Sequence, residues 1–102
     1  MLDGFHGFNW DPSNKFKCQK HGVSIEEVEE VFHNAYLRIE PDLQNSKAEE
    51  RFNAIGKTKK GRSLFLVFTI RNHESEILIR PISARFMHKK EIEFYAQKIP
   101  SV

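Results

Sequence analysis

The chain has 102 residues, of which 39% are hydrophobic and 29% charged, with one cysteine and a formal net charge of +2. This length predicts a single domain over residues 1–102 with enough apolar residues for a core, and one cysteine excludes an internal disulfide. No leader-like start and no apolar run near the ~20 residues that span a bilayer are present, so we expect a cytoplasmic protein without membrane contact.

Two short helices are predicted at the start of the chain. The first begins at Asp11-Pro12, an N-cap followed by a proline in the first turn, and ends at His21-Gly22, where glycine can adopt the left-handed cap. Ser24 and Glu27 have the spacing of a capping box and predict the start of the second helix. The apolar positions of that helix form one stripe: Ile25, Val28, Val31 and Phe32.

Strand-like runs follow. Residues 36–39 predict a short strand, residues 42–49 a polar loop, and three longer strands are predicted over 51–57, 63–71 and 76–84. The run 63–71 is apolar on both alternate faces, which is typical of a central strand. A last helix starts at His88, with apolar positions Ile92, Tyr95 and Ile99 and with Pro100 at its end.

These elements predict an α+β fold. It consists of two N-terminal helices, an antiparallel sheet of about four strands and a C-terminal helix, and the helices pack mainly on one face of the sheet.

Charge is unevenly distributed along the chain. Acidic residues concentrate between positions 24 and 50, and basic residues dominate from Arg51 onward. A basic second half is typical of contact with phosphates, although a solvated basic surface has the same composition. The five histidines occur singly, and Cys18 with His21 lacks a second ligand pair, so we expect no metal site. No glycine-rich phosphate loop is present, and no cofactor is expected.

Arginines near the ends of two predicted strands are the most informative polar residues. Thr69 and Arg71 share one face of the central strand, Arg80 interrupts an otherwise apolar strand, and Arg85 follows at its end. A strand arginine that packs near a core needs a partner or a cleft. Arg80 is therefore either part of a structural ion pair, for example with Glu50, or part of a site where guanidinium groups bind phosphate oxygens.

Metal-free RNA cleavage requires a base for the ribose 2′-hydroxyl, cations for the phosphate and an acid for the leaving oxygen. Glu49 or Glu50 is the candidate base, and Arg71 and Arg80 are the candidate phosphate clamp. The candidate acids are Lys20, His21 and Tyr95.

Several segments resemble the BrnT toxin family in the family's order, from Phe8 to about Gln97. The matching segments are 8–12 (Phe-Asn-Trp-Asp-Pro), 20–24 with 26–27, 50–52, 54–56, 61–62, 68–69, 71, 82–85 (Ile-Ser-Ala-Arg) and 93–95. The resemblance implies a RelE-like fold and a type II toxin that cleaves RNA and arrests growth. It also implies a BrnA-like antitoxin that neutralises the toxin. The toxin would contact operator DNA only through this antitoxin.

The resemblance implies functional positions on the sheet and the helices. Four of them are catalytic candidates: Lys20, Glu50, Arg71 and Arg80. Four are candidates for binding the RNA substrate: Arg51, Thr69, Arg85 and Tyr95. The chain departs from the family pattern at Asn9, where an acid is usual, and at Lys89 and Lys90, where arginines are usual. Pro81 replaces an aliphatic residue and predicts a sheet edge or a bulge.

Two other classes of function remain open from the residues alone. The first is a non-catalytic RNA- or protein-binding module on the same fold. The second is a DNA-binding partner, although no helix-turn-helix pattern is present.

Overall fold

The computed structural model describes residues 4–97, which form three helices packed with a five-stranded sheet. The elements in chain order are β1 (Gly7–Phe8), α1 (Pro12–Gln19), α2 (Ile25–Phe32), β2 (Arg38–Pro41), β3 (Phe52–Lys57), β4 (Ser63–His73), β5 (Glu76–Phe86) and α3 (Lys89–Ala96). The predicted α+β class is confirmed. Ile99 and Pro100, assigned to the last helix, lie outside the described residues. No helix within residues 4–97 is long and apolar enough to cross a membrane.

The first two helices begin with reciprocal caps. The Asp11 carboxylate accepts a bond from the backbone N–H of Asn14 (3.1 Å), while the Asn14 side-chain oxygen accepts one from the backbone N–H of Asp11 (2.7 Å). Ser24 and Glu27 form the same arrangement with two 3.0 Å bonds. Gly22 follows α1 with a φ of +87°, a conformation that glycine adopts without steric cost. These contacts confirm the predicted helix ends.

The sheet has the strand order β1-β5-β4-β3-β2. The four longer strands, β2 to β5, each run antiparallel to their neighbours, as predicted. The short strand β1 is a fifth member of the sheet and runs parallel to β5. The expected four-stranded antiparallel sheet is thus a five-stranded mixed one. With only two residues, β1 is too short to show an alternating pattern, and its pairing with Leu78 and Ile79 joins distant parts of the chain.

A bulge in β5 decides which side chains share a face. Val67 pairs with Ser83, but the next residue of β4 pairs with Pro81, so Ile82 is an extra residue in β5. Of the two alternatives predicted at the proline, a sheet edge or a bulge, the structure has the bulge. Arg80 and Arg85 are five residues apart, and strict alternation would place them on opposite faces. The bulge brings both onto one face, opposite Thr69 and Phe65 of β4, respectively.

Helices α1 and α2 cover the other face of the sheet, where the core lies. The central strand β4 contributes Leu64, Leu66 and Phe68, all buried, and Phe68 packs edge-on against Phe32 of α2 at 5.0 Å between ring centroids. We call the opposite face the open face; it carries Val67, Thr69 and Arg71 of β4 and Arg80 and Arg85 of β5. α3 lies at one end of the open face, so two of the three helices share the core face.

Candidate active site

Three arginines from different elements meet at the end of the open face that lies farthest from α3. We call Arg51, Arg71 and Arg80 the arginine cluster. An Nη atom of Arg71 donates a hydrogen bond to the Glu49 carboxylate, and Nη2 of Arg51 lies 3.7 Å from the other oxygen of the same carboxylate. Arg80 is close enough for its charge to act on Glu49. The Glu49 carboxylate therefore contacts two guanidinium groups, and the charge of a third, Arg80, acts on it from a longer distance.

Arg80 is the most enclosed member of the cluster, with its side chain 17% exposed. Its Nη1 donates to the side-chain oxygen of Asn9 (2.8 Å) and lies 2.9 Å from the carboxylate of Asp11, the N-cap of α1. The ion pair considered for Arg80 with Glu50 is not formed, because the loop before β3 directs Glu49 rather than Glu50 toward the arginines. The Arg80 side chain is thus held in place by two residues that follow β1, Asn9 and Asp11.

Thr69 determines how the loop before β3 approaches the cluster. Its buried hydroxyl donates a 2.6 Å hydrogen bond to the main-chain carbonyl of Glu50. Residue 50 itself is exposed, and it is the carboxylate of Glu49 that contacts Arg71. Of the two acids proposed as the base, the structure brings Glu49 into the cluster.

The electrostatics of the cluster favour an anion. The hydrogen bond from Arg71 lowers the pKa of Glu49, and the backbone N–H of Asn14, followed by the side chain of Arg80, lowers the pKa of Asp11. Both carboxylates are thus ionised at neutral pH, and three guanidinium groups still leave one positive charge in excess. Nε of Arg51 is buried and has no hydrogen-bond partner within residues 4–97.

Arg85 and Tyr95 lie elsewhere on the open face. Arg85 opposes Phe65, which is four residues from Thr69 along β4, or roughly 13 Å at 3.3 Å per residue. Both of its terminal nitrogens donate to the Glu91 carboxylate of α3, at 2.7 and 2.8 Å. Burial raises the pKa of Tyr95, which stays protonated at neutral pH. These two predicted binding residues are therefore separate from the arginine cluster.

Lys20 is not near the cluster. It is the C-cap of α1, and the eight residues of that helix place it roughly 12 Å from the Asp11 end, on the side of the sheet that holds the core. His21 follows it and is exposed. Neither candidate acid is brought to the arginines.

Four of the predicted site residues do come together, and two of their three partners were not assigned a site role; the third, Glu49, was a candidate base. The four are Arg51, Thr69, Arg71 and Arg80. The partners are Asn9, Asp11 and Glu49, of which Asn9 was noted only as a departure from the family pattern and Asp11 only as a helix cap. Asn9 and Arg80 are 71 residues apart, so no local pattern joins them.

The described part of the chain holds no group of three His, Cys, Asp or Glu side chains that could bind a metal ion. Cys18 is buried in the core, where burial raises the pKa of its thiol to about 11. Cys18 is therefore an inert core residue at neutral pH.

Comparison with protein families gives a match over residues 10–91 to the family described as "Ribonuclease toxin, BrnT, of type II toxin-antitoxin system". Comparison with curated proteins gives no match. The matched range contains Asp11, Glu49 and all three members of the arginine cluster, and it covers most of the chain. The chain belongs to the BrnT family of ribonuclease toxins of type II toxin–antitoxin systems.

Proposed function

We propose that this BrnT chain is a metal-independent endoribonuclease whose arginine cluster binds the phosphate at the cut. The observation that carries the proposal is the arginine cluster on the open face, in which Arg71 and Arg51 contact Glu49 and Arg80 contacts Asn9 and Asp11. Family membership supports ribonuclease activity in general. The arginine cluster supports a specific location for this activity. Its guanidinium groups provide positive charge there without a metal ion.

Arg71 and Arg80 are the phosphate-binding residues in this proposal. A guanidinium group presents parallel N–H donors that match two phosphate oxygens. The pentacoordinate phosphorus of the transition state carries more negative charge than the starting diester, so fixed cations stabilise it preferentially. Arg80 is preorganised by Asn9 and Asp11, and Arg51 adds a third cation beside Glu49.

Glu49 is the proposed base. It takes the proton of the ribose 2′-hydroxyl, the 2′-oxygen forms a bond to phosphorus, and the bond to the 5′-oxygen breaks. The products are a 2′,3′-cyclic phosphate and a 5′-hydroxyl, whose proton comes from solvent because the face is open. In the free protein the hydrogen bond from Arg71 lowers the pKa of Glu49 and makes it a weak base. A phosphate that takes over the donors of Arg71 removes this bond, and the pKa of Glu49 rises toward its usual range.

RNA cleavage by the purified chain in excess EDTA tests the proposal. We expect Arg71→Ala and Arg80→Ala each to slow cleavage by about 100-fold or more, as for loss of a charge that stabilises a transition state. Arg62→Ala is the matched control, because Arg62 lies nine residues before Arg71, roughly 30 Å along β4. Cleavage that requires added Mg²⁺, or folded Arg71→Ala and Arg80→Ala proteins that match Arg62→Ala, would contradict the proposal.

The cellular role is a growth-arresting cytoplasmic toxin with RNA as its target and a BrnA-like antitoxin as its partner, through which operator DNA is contacted. Membership of a type II family supports the pairing of toxin and antitoxin. Induced expression of the chain should stop growth, and co-expression of the neighbouring antitoxin frame should restore it. Unimpaired growth with the chain alone refutes the toxic role, and tight RNA binding without fragments favours the binding-module alternative.

A further inference from the structure

A second cationic position on the open face lies beneath α3. Arg85 is held over the ring of Phe65, with its guanidinium carbon 4.8 Å from the ring centroid, and forms a two-bond ion pair with Glu91. The β5 bulge puts Arg85 on the same face as the arginine cluster. Both cationic positions therefore lie along one pair of strands, roughly 13 Å apart.

The packing of α3 against the sheet is loose. None of its residues is buried, and Ile92 and Phe94 are 39% and 53% exposed. A groove of about 170 Å³ lies between the helix and the sheet, with Ile55 on one side and Ile92 and Tyr95 on the other. The contacts that attach α3 are therefore partly exposed, and the ion pair between Arg85 and Glu91 is one of them.

We propose that Arg85 is a second phosphate-binding site for the same RNA strand and that Glu91 occupies this site until RNA displaces it. A carboxylate and a phosphate both match the two parallel donors of a guanidinium, so Glu91 takes the place that a phosphate would take. This inference rests on the proposed function, because it assumes that RNA lies along the open face. It adds a subsite and an internal competitor to the arginine cluster.

Glu91→Gln is the discriminating variant. Glutamine still accepts the 2.9 Å bond from the backbone N–H of His88, so the start of α3 is kept while the charge is removed. Glu93→Gln is the matched control, because Glu93 is an exposed glutamate of the same helix. The probe is hexauridine with methylated 2′-hydroxyls, which cannot be cleaved because the attacking oxygen is blocked. The corresponding dinucleotide has one phosphodiester and fills only one site.

We expect Glu91→Gln to bind the hexanucleotide about two- to fivefold more tightly than Glu93→Gln, the range that corresponds to an exposed ion pair. The slope of log affinity against log salt concentration should be more negative for Glu91→Gln than for Glu93→Gln, by roughly 0.7 for one added phosphate contact. The dinucleotide should show no difference between the two variants. Adding Arg85→Ala to Glu91→Gln should remove the gain.

Equal affinities and salt slopes for the two glutamine variants would overturn the inference, as would an equal gain with the dinucleotide. The arginine-cluster variants keep this result separate from the proposed function. If the parent cleaves RNA and Arg80→Ala does not, a null result at Glu91 rejects only the second site. If the parent and Glu91→Gln neither bind nor cleave RNA, both proposals fail.

Discussion

Asn14 connects the fold to the arginine cluster, and Asn14→Ala is the most informative stability variant. Its side chain is 2% exposed and makes three hydrogen bonds. Its oxygen accepts from the backbone N–H of Asp11 at 2.7 Å, and its nitrogen donates to the carbonyls of Asn9 at 2.9 Å and Pro81 at 2.8 Å. It thereby joins the start of α1, the end of β1 and the bulge of β5.

Alanine removes all three bonds of Asn14. The carbonyl of Pro81 loses a buried donor, which costs about 1–3 kcal/mol, and the two partly buried bonds contribute about 0.5–1.5 kcal/mol each. We therefore expect the free energy of unfolding to fall by about 2–6 kcal/mol. A domain of this length has about 5–15 kcal/mol in total, so the loss is large.

Urea denaturation followed by circular dichroism measures this loss. Ser13→Ala, an exposed neighbour in the same helix turn, should change the free energy of unfolding by less than about 0.5 kcal/mol. Asn14→Ala should also slow RNA cleavage by about tenfold at a temperature where it is folded, because Asn9 and Asp11 hold Arg80. A stability loss below about 1 kcal/mol would refute the role assigned to Asn14.

Glu49→Gln should slow single-turnover RNA cleavage by about 100-fold or more, whereas Glu50→Gln should change it by less than about threefold; the reverse order would restore Glu50 as the base. Phe68→Ala should lower the free energy of unfolding by about 3–5 kcal/mol in urea denaturation, while Phe16→Ala, at a ring 70% exposed, should change it by under about 0.5 kcal/mol; similar losses would contradict the assigned core. Hydrogen bonds from its arginine partner lower the pKa of Glu91 from 4.5 to about 2. The contribution of Glu91 to stability, at most about 1 kcal/mol, should be present above pH 4.5 and lost as the pH falls toward 2, so the parent and Glu91→Gln should differ at pH 6 and converge near pH 2. An equal difference at both pH values would refute this linkage.

The helices were predictable because their ends depend on near neighbours. The caps at Asp11 and Ser24 involve residues three positions away, and Gly22 needs only its own backbone freedom. The strands β3, β4 and β5 follow from local patterns in the same way, β3 from alternation and β4 and β5 from largely apolar runs. Because β1 depends on pairing with residues about 70 positions later, a local pattern does not predict it.

The face shared by Arg80 and Arg85 shows what alternation leaves out. Their five-residue separation places them on opposite faces of a regular strand, and only the bulge after Pro81 brings them together. The proline signalled a bulge or an edge, but not which residue would be extra. The arginines were thus identifiable from sequence, whereas their common face required the register of the sheet.

The choice between Glu49 and Glu50 also depends on contacts distant in sequence. The two acids are adjacent in a loop, where neither helix nor strand periodicity sets the direction of a side chain. The bond from Thr69 to the carbonyl of Glu50 orients this loop, and Arg71 then contacts Glu49. Lys20 illustrates the same limit, because its place at the far end of α1 follows from how that helix packs on the sheet.

The chemical ends of the RNA fragments test the proposed chemistry of the arginine cluster most directly. Mass spectrometry of a short RNA cut by the purified chain in EDTA identifies both ends at the cut. Attack by the 2′-oxygen, with Glu49 as base and Arg71 and Arg80 on the phosphate, predicts a 2′,3′-cyclic phosphate on one fragment and a 5′-hydroxyl on the other. Fragments that end in a 3′-hydroxyl and a 5′-phosphate would show that water attacks the phosphorus instead, and would contradict the role proposed for Glu49.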